Sequence, residues 1–243
     1  MSVTNQETGT NINEISEGIY RISTPVPPDK VPGGFSFNQY LILDEDPLLY
    51  HTGLRKLFPF TLEAVKSVLS PERIRYIGVS HTEADECGAL NEWLQAAPRA
   101  VPLCGNIAKA VSLDDIADRA ARAVADGEVL SLGTHTVRWF DAPHLPHAWD
   151  CGHLMELSTH TLLCGDLFTQ NGEGMPAITE ADILGPSEMF RKNMDYYSYS
   201  RNAPAMIDRL VNEKPTTLAC MHGSVWKGDG AGLLRALAQE LAK

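Results

Sequence analysis

The chain has 243 residues, 44% of them hydrophobic, which is enough for one large domain with a sizeable core. Its formal net charge of −11 argues against binding to nucleic acid or to an anionic membrane surface. No apolar run approaches the roughly 20 residues needed to span a bilayer, and the polar N-terminus lacks a secretory signal. Five scattered cysteines form no CxxC pair, which favours a reducing, cytoplasmic location over a disulfide framework.

Two successive blocks of strands and helices are predicted along the chain. Residues 1–17 are expected to be a flexible segment and residues 18–243 a single domain. In chain order the predicted elements are strands 18–24, 37–44 and 47–51, helix 61–69, strand 76–80, helix 88–95, strand 99–103, helix 113–125, strands 128–132, 136–141, 154–158 and 161–164, a mostly helical stretch 185–210, strand 217–221 and helix 231–242. Two stacked sheets with helices outside satisfy this order and predict an α/β fold.

The stretch 80–90 offers four potential metal ligands within six positions, namely His81, Glu83, Asp85 and Glu86. In an extended or tightly turned segment, side chains at alternate positions lean to the same side, so the first three would converge on one point. The stretch follows an apolar strand, where open α/β sheets usually place their sites. The alternative is an acidic helix N-terminus, in which the carboxylates favour the helix dipole and His81 is incidental.

Three more polar positions follow apolar strands. His144 and His147 lie in the loop after strand 136–141, Asp166 follows the apolar run TLLC and a glycine, and His222 follows TLAC. Taken singly, Asp166 could cap a turn and His222 could be a hydrogen-bonded core histidine. Together, four strand ends that carry histidine or carboxylate predict a metal site whose N and O ligands suit iron, manganese or zinc.

These motifs resemble the metallo-β-lactamase fold, and more narrowly the di-iron domain of flavodiiron proteins and of free-standing oxygen-binding di-iron proteins. Hydrolases of the fold carry HxHxDH, whereas this chain has HTEADE, with Glu83 at the position that marks the di-iron branch. The segment FNQYLILDEDPLLYHTG resembles that family's opening hairpin, and Tyr196 belongs to a Tyr pair that this branch often has. The resemblance spans about residues 18 to 240 and implies a four-layer αββα sandwich.

The resemblance also implies how two iron ions are held, with zinc or manganese as alternatives. One ion would take His81, Glu83 and His147, the other would take Asp85 and His222, and Asp166 would bridge the two. His147 is preferred to His144 because of its interval to the bridging aspartate. Supporting groups implied around the ligands are His51, His144 and Tyr196.

Two positions depart from the family pattern. Glu86 stands where the family usually has histidine, so it is either an additional carboxylate ligand or a supporting group. His51 stands where the fold usually has aspartate, so the support of the ligands is expected to differ. The chain leaves no room for the flavodoxin domain of flavodiiron proteins, so no FMN is expected in it.

The resemblance implies a non-haem di-iron protein that binds O2 or NO as a sensor or carrier, or reduces it with electrons from a separate protein. An external signalling partner and a homodimer are further expectations. A zinc-dependent hydrolase is the alternative, in which Asp85 or Asp166 would orient a metal-bound water. A third hypothesis is a scaffold that has lost its metals and binds a partner.

Overall fold

Two β-sheets form the centre of the molecule, whose computed structural model describes residues 2–243. The first sheet has eight strands in sequence order, antiparallel from β1 to β5 and parallel from β5 to β8. Its strands are β1 Ser2–Val3, β2 Asn11–Ser16, β3 Ile19–Val26, β4 Phe35–Ile42, β5 Leu48–Tyr50, β6 Tyr76–Gly78, β7 Val101–Gly105 and β8 Arg122–Val124. Strands β4 and β5 confirm the predicted hairpin.

The second sheet has seven strands in the order β13-β15-β14-β12-β11-β10-β9. Its strands are β9 Val129–Ser131, β10 Thr136–Asp141, β11 Gly152–Glu156, β12 Thr161–Gly165, β13 Ile178–Thr179, β14 Thr217–Cys220 and β15 Val225–Lys227. Strand β11 runs antiparallel to both β10 and β12, and β12 runs parallel to β14. The carboxyl ends of β10, β12 and β14 therefore lie at the same edge of the sheet.

Helices cover the outer face of each sheet and complete the four layers that the sequence predicts. They are α1 Phe58–Lys66, α2 Ala84–Cys87, α3 Leu90–Ala96, α4 Asn106–Ala108, α5 Asp114–Ile116, α6 Leu184–Met194, α7 Ala203–Asn212 and α8 Gly230–Leu241, with short 3-10 turns at Arg55–Leu57 and Pro71–Arg73 and a π turn at Lys109–Leu113. In the part of the chain that the structure describes, none of the helices is both long and apolar enough to cross a bilayer.

Three apolar cores hold these layers together, as the alternating burial of the strands requires. Trp93 of α3 packs with Ile77 of β6 on the outside of the first sheet. Leu234 of α8 belongs to the core outside the second sheet. Trp139 of β10 and Tyr40 of β4 lie in the core between the two sheets. The two sheets are thus fixed against each other, which gives the loops at their shared edge a rigid base.

The N-terminal segment corrects the expectation of flexibility over residues 1–17. Strand β2 pairs with β3 over most of its length, and Ile12 and Ile15 are buried. The turn before it is held by side-chain hydrogen bonds, because the Asn5 carboxamide oxygen accepts bonds from the backbone and hydroxyl of Thr8 at 3.0 Å each. Polar composition here indicates a hydrogen-bonded turn at a sheet edge. Met1 lies outside the described residues.

The helix predicted over 113–125 is also wrong. Helical turns cover residues 106–116, and residues 122–124 form strand β8. The chain between them is held extended by outside partners: the Arg119 guanidinium donates to the Ala100 carbonyl, and Asn91 accepts from the Asp118 amide at 2.8 Å. Since these tertiary bonds replace helical ones, the amphipathic pattern was misleading. The predicted helical stretch 185–210 forms two helices, interrupted at Asp195 with φ +50°.

Candidate metal centre

The loop after β6 turns into the short helix α2, and this transition spreads its four acidic and histidine side chains. Glu83 precedes the helix with an extended backbone, φ −118° and ψ 166°, whereas Asp85 and Glu86 lie in the first helical turn. The carboxylate of Asp150 fixes the backbone that leads into α2, since it accepts hydrogen bonds from the Thr82 N–H at 3.0 Å and from the Thr82 hydroxyl at 2.8 Å. Because the backbone changes from extended to helical within this stretch, the side chains of His81, Glu83 and Asp85 do not all converge on one point as their spacing predicted.

One group of donor atoms is formed by His81, Glu83, His147 and Asp166. The Nε2 atoms of His81 and His147 lie 3.1 Å apart. Asp166 Oδ2 lies 3.5 Å from the former and 3.2 Å from the latter. Glu83 Oε1 lies 3.2 Å from His147 Nε2 and 3.7 Å from His81 Nε2. Two imidazole nitrogens and two carboxylate oxygens from three loops thus lie close to one another.

A second group lies on the other side of Asp166. His222 Nε2 is 3.3 Å from Asp166 Oδ1 and 3.4 Å from Asp85 Oδ2. One ligand atom of each of Asp85, Glu86 and His222 lies within 4.8 Å of the others. Glu86 also approaches the first group, with Oε2 3.9 Å from His81 Nε2. The two carboxylate oxygens of Asp166 are therefore divided between the two groups.

The donor set fits two small cations. Nitrogen and oxygen ligands about 2.0–2.2 Å from one metal ion lie roughly 3 Å from each other, and the separations in both groups cluster around this value. Four carboxylates balance the charge of two divalent ions, and imidazole with carboxylate suits iron, zinc or manganese. Both carboxylate oxygens of Glu86 are buried without a hydrogen-bond partner. Buried carboxylates without donors are costly, and a cation between them would supply the missing partner.

The carboxylates strongly perturb the protonation of their neighbours. Burial opposes charging of His147, but hydrogen bonds to Asp166 and Glu83 outweigh it and raise its pKa to about 10. Hydrogen bonds from His147 and His81 lower the pKa of Glu83 to about 2. Burial, with Asp166 and Asp85 nearby, raises the pKa of Glu86 well above its ordinary value. The excess negative charge of the cluster thus favours the protonated forms of His147 and Glu86.

Two of the three predicted supporting residues lie beside these groups. The Tyr196 hydroxyl donates to the Asp166 carbonyl at 3.2 Å, and its ring packs edge-on against His147 with centroids 5.7 Å apart. His51 reaches His81 through Ser80. His144 does not reach the cluster: its side chain is exposed and lines a cleft of about 240 Å³ with Tyr197. Its backbone, at φ +64°, closes a turn by donating to Ala148, which directs His144 outward.

Two residues of the site were missed by sequence reasoning, namely Ser80 and Asp150. Ser80 directly precedes His81, and its hydroxyl lies 3.0 Å from His81 Nδ1. Asp150 ends the segment that carries His147, and it orients Thr82 within the ligand loop. Ser80 could have been identified from the sequence because it directly precedes the predicted ligand His81. No local pattern marks Asp150, because its partner is 68 positions away.

Aromatic side chains wall the His222 side of the cluster. Phe35 stacks on His222 with centroids 4.3 Å apart, and Phe37 meets it edge-on at 5.5 Å. Phe190 of α6 bridges Phe35 and Tyr196, at 5.9 and 5.8 Å. An apolar wall beside charged ligands limits the access of water and strengthens electrostatic interactions inside.

The sequence matches the family model of the ODP family beta lactamases over residues 35–223. Rubredoxin-oxygen oxidoreductase of Megalodesulfovibrio gigas is 27% identical over 206 residues, which cover 81% of this chain and 50% of that protein. The nitric oxide reductase of Moorella thermoacetica is 25% identical over 219 residues, which cover 85% of this chain and 53% of that protein. The chain thus spans about half the length of these two curated relatives.

Solved structures agree with the observed layers. The rubredoxin oxygen:oxidoreductase from Desulfovibrio gigas superposes with a TM-score of 0.80 at 23% identity, covering 95% of this chain and 60% of that one. A fragment of the putative diflavin flavoprotein A 5 from Nostoc has a TM-score of 0.77 at 16% identity and covers 96% of both chains. At these identities the likeness shows the fold alone.

Proposed function

Because the chain belongs to the ODP family beta lactamases, we propose that its cluster holds two iron ions that bind O2 or NO, as sensor, carrier or reductase. The division of the two Asp166 oxygens between two donor groups carries the proposal, because each group then has its own oxygen of this carboxylate, as two separate ions require. Two ferrous ions supply open coordination positions and electrons for a diatomic molecule. The names of two relatives, an oxygen oxidoreductase and a nitric oxide reductase, support this choice of ligand.

The residues of this chain suit an uncharged ligand. The carboxylates of Glu83, Asp85, Glu86 and Asp166 neutralise two divalent ions, so a neutral diatomic molecule enters without a charge penalty. An anionic substrate such as a phosphodiester would approach carboxylates and the aromatic wall with little compensation. Hydrolysis of anionic substrates therefore finds less support in the geometry than binding of a diatomic molecule does.

The chain's own groups have separate tasks in this proposal. With the ions bound, His81 and His147 would supply neutral nitrogen donors, Asp166 would offer one oxygen to each donor group, and Phe35 would limit water at the His222 side. Tyr196 orients Asp166 through its hydrogen bond to the Asp166 carbonyl. We further propose that electrons for any reduction come from a separate electron-transfer protein and that the chain acts as a homodimer.

The test is metal analysis followed by ligand exposure. Protein loaded anaerobically with Fe²⁺ should bind two equivalents, and Asp166→Asn should bind at most one with a clear loss of affinity. Exposure of the loaded wild type to O2 or NO should change its absorption spectrum, whereas the zinc-loaded protein should not respond. Binding of a single equivalent by the wild type, or no spectral response to either gas, would contradict the proposal. Turnover of thioesters or phosphodiesters by zinc-loaded protein would favour the hydrolase instead.

A further inference from the structure

A chain of buried side chains runs behind His81, on the side away from the other ligands. Ser80 Oγ lies 3.0 Å from His81 Nδ1 and 2.9 Å from His51 Nε2. The other ring nitrogen of His51, Nδ1, lies 2.9 Å from the Met221 sulfur. All four residues are at most 1% exposed, so water does not compete for these bonds.

The direction of each hydrogen bond in this chain is fixed by chemistry. His81 presents Nε2 to the donor group, so a neutral His81 carries its proton on Nδ1 and donates it to Ser80. The Ser80 hydroxyl then donates to His51 Nε2, which also faces the Ser80 backbone N–H at 3.3 Å. His51 must therefore carry its proton on Nδ1, facing a thioether sulfur that can only accept.

None of the side chains in this hydrogen-bonded series therefore carries a negative charge. Burial and the neighbouring His81 lower the pKa of His51 to about 3, which keeps its ring neutral. A carboxylate in the place of His51 would pull on the Nδ1 proton of His81 through Ser80 and make its Nε2 a stronger donor. The neutral chain instead leaves His81 an ordinary imidazole ligand.

The backbone around the chain is built to hold these side chains. His51 adopts φ +65°, an uncommon conformation for a residue other than glycine. Its N–H donates to the Gly78 carbonyl at 2.7 Å, and its ring stacks on Tyr50 at 4.4 Å. Gly165 leaves room for Ser80, since a Cβ on Gly165 would lie 3.3 Å from the Ser80 hydroxyl. Strained backbone held by surrounding contacts is a feature of functional sites.

Met221 connects the far end of the chain to the two other ligand loops. It directly precedes His222, and its N–H donates at 3.0 Å to the carbonyl of Gly165, which directly precedes Asp166. The hydrogen-bonded chain therefore links the backbone segments that carry His81, His222 and Asp166. A displacement of His51 would therefore shift ligands in both donor groups.

We propose that Ser80, His51 and Met221 form a neutral positioning chain that fixes the Nδ1–H tautomer of His81 and keeps the reduction potential of the bound ions higher than an anionic partner would. The proposal rests on the proposed metal centre, and it concerns residues that touch no metal themselves. Partners of this kind typically change metal affinity about 10–100-fold when they are removed.

His51→Asn and His51→Asp form a matched pair for the test, because both residues tolerate a positive φ and they differ by one charge. The midpoint potential of the Fe-loaded protein is measured by redox titration. His51→Asp should favour the oxidised ions about tenfold more than His51→Asn does, a shift of ~59 mV to lower potential for a one-electron couple. Ser80→Ala should weaken Fe²⁺ binding about 10–100-fold. The control Ser187→Ala, which removes another buried hydroxyl, should leave Fe²⁺ affinity unchanged.

Thermal unfolding of each metal-free variant shows whether it is folded before these comparisons are made. Equal potentials for the two His51 variants, with wild-type Fe²⁺ affinity in Ser80→Ala, would overturn the positioning chain and leave the metal centre standing. Failure of the wild type to bind Fe²⁺ would overturn the metal centre and the positioning chain with it. If Ser80→Ala does not fold, the two His51 variants decide the question alone.

Discussion

Replacement of Glu86 by glutamine should affect stability and metal binding in opposite directions. Without metal, burial and the nearby carboxylates raise the pKa of Glu86 well above its ordinary value of 4.5, so the folded protein opposes ionisation of this carboxyl. The unfolded chain ionises it freely at pH 7, and this difference lowers the stability of the wild type as pH rises. Glutamine has the same shape and no charge to gain, so metal-free Glu86→Gln should be more stable at pH 7 by about 1–3 kcal/mol, the usual cost of an uncompensated buried polar group, or about 2–12 °C in Tm.

The sign of the pH dependence is specific. A raised folded pKa means that the wild type loses stability relative to the variant as pH rises above 4.5, so the two proteins should unfold alike near pH 4 and diverge towards pH 7. Differential scanning calorimetry of the metal-free proteins measures this difference. In the same variant, loss of one anionic donor should weaken binding of the second Fe²⁺ equivalent at least tenfold. A variant less stable than the wild type at pH 7, with unchanged Fe²⁺ affinity, would refute the argument.

Four further substitutions test the fold and the ligand assignment. Burial would raise the pKa of Glu156, but hydrogen bonds from Thr159 outweigh it and lower the pKa. Glu156→Gln should therefore cost about 2 kcal/mol of stability near neutral pH. This loss should shrink as pH falls below 4.5, the ordinary pKa of the carboxyl, and urea unfolding monitored by circular dichroism measures it. Gly152→Ala should destabilise the protein by about 1–3 kcal/mol, because its Cβ would lie 2.1 Å from a buried tryptophan ring, and a Tm at wild-type level would contradict this. His147→Ala should lose Fe²⁺ from the first group, whereas His144→Ala should retain two equivalents by elemental analysis, and the reverse pattern would exchange their assignments.

The sequence was most informative where local pattern and tertiary role coincide. The predicted strands 161–164 and 217–221 are buried on both faces. A short, continuous apolar run indicates such a strand without any knowledge of the elements that pack against it. Polar residues that follow these strands fall at the sheet edge, because β12 and β14 are parallel and end together. This geometry explains why Asp166 and His222 were identified without knowledge of their 3.3 Å separation.

Tertiary partners decided the features that sequence reasoning did not predict. The strand β8 and the loop before it depend on Arg119 and Asn91, whose bonds reach back about 20 to 30 positions. Strand β2 is polar in sequence and ordered by pairing with β3. The direction of His144 depends on a turn closed by Ala148. None of these partners is encoded by a local period, so hydrophobic periodicity could not find them.

The negative charge of the cluster implies that cation binding and folding are coupled. Glu83, Asp85, Glu86 and Asp166 come from two loops that belong to different sheets, and without counterions their approach is opposed by repulsion and desolvation. The raised pKa values of His147 and Glu86 favour their protonated forms, which relieves part of this repulsion. A cation that binds only the folded chain adds stability as RT ln(1 + [L]/Kd), about 2.7 kcal/mol at 100 times Kd. The edge where the two sheets meet is therefore the region of the fold that gains most from bound metal.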